Sequence, residues 1–188
     1  MSEKNLATKE NLKLLMQGEL PLDMVHDMVR MPNKDEDRFQ KYIEILQEMM
    51  PWDDRILVRI SEHLFVVAKD DGQRVVKCDC GYEYGDYRIN WKLNALVYAR
   101  KTSEEIAEVF TTAAPDANYV DIREFYCPGC QTQLAVEVVP SGYPFIFEVL
   151  PDIDALYEME GRPLSDADEK WFQDLTGQLT AQWVDKGK

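Results

Sequence analysis

The chain reads as an α+β protein: N-terminal helices, a small antiparallel, zinc-ribbon-like β unit with an inserted helix, and C-terminal helices. Three observations predict this. Apolar residues recur at helical spacing as far as Met50 and switch to alternation from residue 55. Four cysteines lie in two close pairs, each at the end of a strand-like run, and helical spacing returns after residue 151. The corresponding division is an N-terminal helical arm (1–54), a cysteine-bearing β domain (55–150) and a C-terminal helical arm (151–188).

In the first arm, Thr8 can cap a helix that Gly18 ends, with Leu12, Leu15 and Met16 on one side. Pro21 suits the first position of a second helix carrying Leu22, Val25, Met28 and Val29, and Pro32-Asn33 end it. Asp35 starts a third, in which Phe39, Tyr42, Ile43, Leu46 and Met50 form one amphipathic stripe that Pro51 stops.

In the β domain, Ile56, Val58 and Ile60 alternate, Leu64–Ala68 is a short apolar run, and Asp70-Asp71-Gly72 marks a hairpin turn into Val75-Val76-Lys77. Residues 82–93 read as an ordered loop, and Leu96–Arg100 as a strand. Thr102-Ser103-Glu104-Glu105 is a capping box opening a helix to about Thr111. Pro115–Asn118 is a loop between that helix and a strand from Val120 into the second cysteine pair; another strand covers Leu134–Val139 before Pro140 and Pro144 interrupt the chain. In the last arm, Asp152 caps a helix to Glu160, which Gly161 and Pro163 end. Ser165 opens a final helix with Trp171, Phe172, Leu175, Leu179 and Trp183 on one stripe.

Composition narrows the function. At 188 residues and 45% apolar the chain can bury a core, and its formal net charge of -14 repels phosphate backbones and anionic lipid. Nucleic acid and membrane partners are therefore disfavoured, while a basic patch on another protein suits this charge. No apolar run approaches the ~20 residues that span a bilayer. Met1–Asn5 has no apolar core of a secretory signal, so the expected location is the reducing cytoplasm, where disulfides do not persist.

Metal binding then explains the cysteines. The pattern is Cys78-Asp79-Cys80-Gly81 and Cys127-Pro128-Gly129-Cys130. Soft thiolate sulfur matches zinc, and four thiolates close a tetrahedron with bonds of about 2.3 Å. Gly81, Pro128 and Gly129 suit tight turns at hairpin tips, as in a zinc ribbon. Residues 81–126 separate the pairs, a longer span than the usual ~15–20, so a subdomain is inserted. Cys78, Cys80, Cys127 and Cys130 are the candidate ligands of one structural zinc; a rubredoxin-like iron site and four reduced, metal-free cysteines are the alternatives.

Little else carries chemistry. His26 reads as a surface residue and His63 as a residue of a strand turn, a place beside the site or a role as replacement ligand being its minor alternative. No Ser/His/Asp set, P-loop or G-x-G-x-x-G motif is present, so no catalytic or cofactor-binding residue is assigned. The tryptophan-bearing segments 49–54 and 86–93 suit either an interface centre or the core.

F-Q-K-Y-I-E-I-L-Q-E-M-M-P-W-D-D (39–54), V-V-K-C-D-C-G (75–81), N-W-K-L (90–93), R-E-F-Y-C-P-G-C (123–130) and P-D-I-D (151–154) together resemble the gamma subunit of acetone carboxylases, over roughly residues 10–160. The resemblance implies a small zinc subunit, with Cys78, Cys80, Cys127 and Cys130 as ligands, in a heterohexamer holding two copies each of alpha, beta and gamma. It also implies that manganese and ATP lie in the large subunits, and that the complex carboxylates acetone to acetoacetate with bicarbonate. Carboxylases of aromatic ketones have similar small subunits. A free-standing zinc-ribbon adaptor is the reading from a different class, and a zinc hydrolase would need an open coordination position.

Overall fold

The computed structural model describes residues 6–33 and 35–185, so the expectation resting on Met1–Asn5 lies outside the described residues. Two compact units make up the chain, one ending at Ile56 and the other beginning at Leu57.

The first unit holds α1 (Lys9–Gln17), α2 (Leu22–Arg30) and α3 (Arg38–Met49). Thr8 caps α1 as expected, its hydroxyl accepting from the Asn11 amide at 3.2 Å, and Gly18 closes it. Pro21 is the N-cap of α2, one residue before the expected first position. α3 starts at Arg38 instead of Asp35, because the Asp35 carboxylate turns back to accept from Arg38 (2.9 Å) and Lys41 (3.2 Å). Ala7, Leu12, Leu20, Met28 and Ile45 form the core of this unit. Leu22 and Val29 are exposed, whereas Ile45, off the predicted stripe, is fully buried. With Ile43 and Leu46 also buried, the inward face of α3 is broader than a single row.

The second unit is built on two antiparallel sheets. The first has the order β1-β2-β3-β4, from β1 (Arg55–Arg59, which straddles the unit boundary), β2 (Leu64–Ala68), β3 (Arg74–Cys78) and β4 (Glu83–Asp86). β2 and β3 pair from Leu64 opposite Cys78 to Ala68 opposite Arg74, around the expected turn at Asp70–Gly72. The expected loop over 82–93 is corrected: it contains β4 and a 3-10 turn, Trp91–Asn94. Glu-Tyr-Gly-Asp has no strand signature of its own, and β3 imposes the extended form by pairing Val75 with Asp86 and Val76 with Gly85.

The second sheet has the order β5-β6-β7, from β5 (Leu96–Arg100), β6 (Val120–Tyr126) and β7 (Gln133–Pro140). Between β5 and β6 lies α4 (Ser103–Ala107), whose capping box is complete. It stops four residues short of Thr111, since Ile106 alone anchors it and a short helix needs packing to persist.

A run of edge-to-face aromatic contacts joins the sheets. Tyr82 meets Tyr84 at 5.0 Å, Tyr84 meets Trp91 at 5.7 Å, Trp91 meets Phe125 at 6.2 Å and Phe125 meets Phe145 at 5.1 Å. Trp91 is thus a core residue. Beside this run, Lys92, with no exposed side-chain surface, donates to Glu137 at 2.6 Å and to Glu148. Arg123 donates to Glu137 at 2.5 Å and to the carbonyls of Tyr143 and Pro144. These charges hold residues 143–148, which lack regular structure, against the sheet.

Beyond α5 (Ile153–Met159), capped by Asp152 as expected, the single helix from Ser165 is corrected to a 3-10 turn, Glu169–Trp171, and α6 (Thr176–Asp185). Trp171 causes the break. The guanidinium groups of Arg74 and Arg88 each lie over its ring, 4.7 Å from a ring centroid. Tyr87 donates to the Trp171 carbonyl, Arg88 to that of Lys170 at 3.0 Å, and the Leu175 amide to that of Arg88 at 2.9 Å. Bonds to residues 87–88 replace the helical ladder, so the C-terminal segment packs on the body.

Trp171→Ala removes the ring on which Arg74 and Arg88 stack, and the expected loss is about 2 kcal/mol of stability, read from the urea midpoint. Glu137→Gln leaves Lys92 and Arg123 facing a neutral amide. Its expected cost is about 3 kcal/mol in the same assay, and an unchanged midpoint would contradict the buried network.

Candidate metal centre

Each cysteine pair occupies the turn of a hairpin. β3 ends at Cys78 and returns as β4, with the Cys78 amide donating to Tyr82 O at 2.8 Å and the Gly81 amide to Cys78 O at 2.9 Å. Gly81 has φ +98°, a conformation that L side chains rarely adopt. β6 returns as β7 through Cys127–Thr132, where the Gln131 amide donates to Cys127 O at 2.8 Å and the Cys127 amide to Thr132 O at 2.9 Å. The turns press together at Gly129: a Cβ there would lie 3.1 Å from Tyr82 Cβ and 3.2 Å from Cys80 Sγ.

This contact brings all four predicted residues into one group. The Sγ atoms of Cys78, Cys80, Cys127 and Cys130 lie within 4.8 Å of one another. Cys78 is 3.9 Å from Cys130 and Cys80 is 3.6 Å from Cys127. Those separations exceed a disulfide bond of about 2.05 Å. They match the edge, about 3.8 Å, of a tetrahedron with four metal–sulfur bonds of about 2.3 Å. The group could hold a metal ion, and both close pairs run between the turns, so an ion would staple one to the other.

The surroundings favour thiolates in a specific way. Each sulfur has a backbone N–H two residues further on: Cys80 for Cys78, Tyr82 for Cys80, Gly129 for Cys127 (3.4 Å) and Thr132 for Cys130. Burial nonetheless pushes the Cys78 and Cys80 thiols up, against those amides. Exposed Cys130 behaves differently. The Thr132 hydroxyl at 3.2 Å, helped by its amide, lowers the Cys130 thiol to about 7. A cation among the sulfurs would offset the cost of burying the other charges.

His63 is not among the sulfurs but lies beside the site, the minor of its two readings. Its Nδ1 lies 2.6 Å from Asp79 Oδ2, and Asp79 Oδ1 lies 3.2 Å from Cys78 Sγ. Burial would raise the Asp79 carboxyl, but the bonds to His63 and Cys78 outweigh it and hold the group below its usual range. His26 is exposed in the other unit, as expected. Sequence reasoning missed Thr132, Asp79 and Tyr84. Tyr84 is buried beneath the turns, and its phenol is pushed up by burial and by Cys127. The i+2 position of Thr132 was a usable signal for the first; the other two depend on pairing across hairpins.

A labelling order follows from these environments. In chelator-treated protein that keeps its far-ultraviolet spectrum, iodoacetamide should modify Cys130 first, with a rate rising through about pH 7, and Cys78 last. Fast labelling of Cys78 would contradict the described burial.

Comparison with known proteins places this geometry. The family model described as acetone carboxylase gamma subunit matches residues 50–160, a span that contains all four cysteines. The chain is 38% identical over 153 residues to the acetone carboxylase gamma subunit of Xanthobacter autotrophicus, covering 80% of this chain and 90% of that one. It is 40% identical over 102 residues to the acetophenone carboxylase beta subunit of Aromatoleum aromaticum, covering 53% and 78% respectively. With its two small sheets and its cysteine cluster inside the matched region, the chain belongs to the acetone carboxylase gamma subunit family.

Proposed function

We propose that this chain is the zinc-binding, non-catalytic gamma subunit of an ATP-dependent carboxylase, a carbon–carbon ligase that converts acetone and bicarbonate to acetoacetate. The observation that carries the reading is the group of four sulfurs, within 4.8 Å of one another, inside the family region. Cys78, Cys80, Cys127 and Cys130 are the proposed ligands. Thiolate softness and tetrahedral spacing favour zinc. Four protein ligands leave no open position for water, so the metal's role is structural. The family resemblance supports alpha and beta partners with two copies of each chain, and manganese and ATP in those partners. Free cysteines suit a reducing, cytoplasmic setting, and no helix among the described residues is long and apolar enough to cross a membrane.

Native purification with elemental analysis tests the reading. One zinc per chain and two larger co-purifying chains are expected, and Cys127→Ser should abolish stoichiometric zinc and destabilise the fold. Turnover of ATP by the isolated chain would contradict a non-catalytic role. A second reading, an aromatic-ketone carboxylase, is favoured by the similarity to an acetophenone carboxylase subunit. The purified complex should consume acetone faster than acetophenone, in a bicarbonate- and ATP-dependent manner; the reverse order selects the second reading.

A further inference from the structure

The β5-β6-β7 sheet leaves large apolar side chains exposed on its two edge strands. Along β7, Glu137 is buried while its neighbours Val136 and Val138 are each 51% exposed. On β6, the central strand, Asp121, Ile122, Arg123 and Glu124 are all buried. The register places Val136 opposite Glu124 and Glu124 opposite Tyr98, with Val138 opposite Ile122 and Leu96 opposite Tyr126. Side chains alternate along a strand, so Leu96, Tyr98, Val136 and Val138 share one face. Leu96 is 50% and Tyr98 43% exposed. An antiparallel sheet with one face in water normally turns its polar residues outward. Here Lys92, Arg123 and Glu137 form an ionic group on the inner face, while the outer face leaves Val136, Val138, Leu96 and Tyr98 exposed on either side of buried Ile122 and Glu124, as suits a sheet whose outer face is covered in its working state.

The rim shows what kind of surface covers it. Arg100 stacks over Tyr98 at 4.8 Å and pairs with Glu124 at 3.3 Å and Glu108 at 2.6 Å. Glu104 and Glu105 follow in α4, so carboxylates outnumber cations at this edge, on a chain of net charge -14. A second copy would bring like charge to the same rim. A partner with an apolar centre bordered by Lys and Arg is attracted. We infer that the outer face of β5-β6-β7 is the docking surface for a larger subunit of the carboxylase, an inference that rests on the subunit reading above. A standard interface buries about 1,600 Å², so these four side chains form its centre and α4 part of its rim.

The test uses the native complex. Val136→Glu/Val138→Glu, coexpressed with the large subunits, should weaken association at least tenfold while metal content and far-ultraviolet spectrum stay unchanged. Met159→Glu, an exposed apolar site outside the sheet, should leave association as it is. In wild-type protein, amides of 96–98 and 134–138 should exchange at least tenfold more slowly in the complex than in the isolated chain. That comparison decides the matter if the double variant loses its metal or fold. Equal protection in the isolated chain would overturn the proposal, since a second copy or this chain's own N-terminal helices would then be the cover. Sedimentation of the isolated chain tells those apart. If wild-type chain recruits no large subunit, the subunit reading falls and this proposal with it. If wild type and double variant recruit them equally, only the docking face is wrong.

Discussion

The body of this protein depends on two hairpin turns meeting at four sulfurs. Neither sheet is large enough to bury a core on both faces, and neither shares a ladder with the other. Their turns approach so closely that a Cβ at Gly129 would crowd Tyr82 and Cys80, and the close Cys78–Cys130 and Cys80–Cys127 pairs each span the gap. Bringing thiolates together in a partly buried place is unfavourable on its own, as the upward shifts of Cys78 and Cys80 show. A divalent cation turns the same crowding into attraction, which ties the proposed metal to folding and not to chemistry. The amide N–H groups at each i+2 position then hold the charge that the metal requires.

The remaining structure supports this junction from below. Aromatic rings from Tyr82 to Phe145 fill the space between the sheets, and the Lys92–Glu137–Arg123 group fixes the irregular 143–148 segment beside them. Arg74, also buried, pairs with Asp154 at 2.6 Å and stacks on Trp171, so the C-terminal segment closes over β3 and β4. Such buried ions are costly unless fully paired, and here they mark where irregular chain is held in one conformation. The valines exposed on the edge strand β7 are where the fold meets the proposed assembly.

Much of this was legible in the residues. The cysteine pairs, the Asp70–Gly72 turn, the Thr102–Glu105 capping box and the caps at Thr8 and Asp152 each carry their signal within a few positions. What was not legible depends on distant partners. β4 is a strand only because β3 pairs with it, and the last helix breaks only because Trp171 finds Arg74 and Arg88. Asp79, in the turn between β3 and β4, meets His63 in the neighbouring turn between β1 and β2. Charges are rarely buried, so nothing near Glu137 or Arg123 in the sequence marks them as inward; their bonds to each other and to Lys92 do.

The central claim is that the four sulfurs hold one zinc ion in a closed tetrahedral site. Zinc K-edge X-ray absorption on the natively purified protein tests it most directly. The account predicts four sulfur scatterers at about 2.3 Å and no nitrogen or oxygen in the first shell. A shell with nitrogen or oxygen scatterers, or a protein that folds without zinc at the edge, would contradict it.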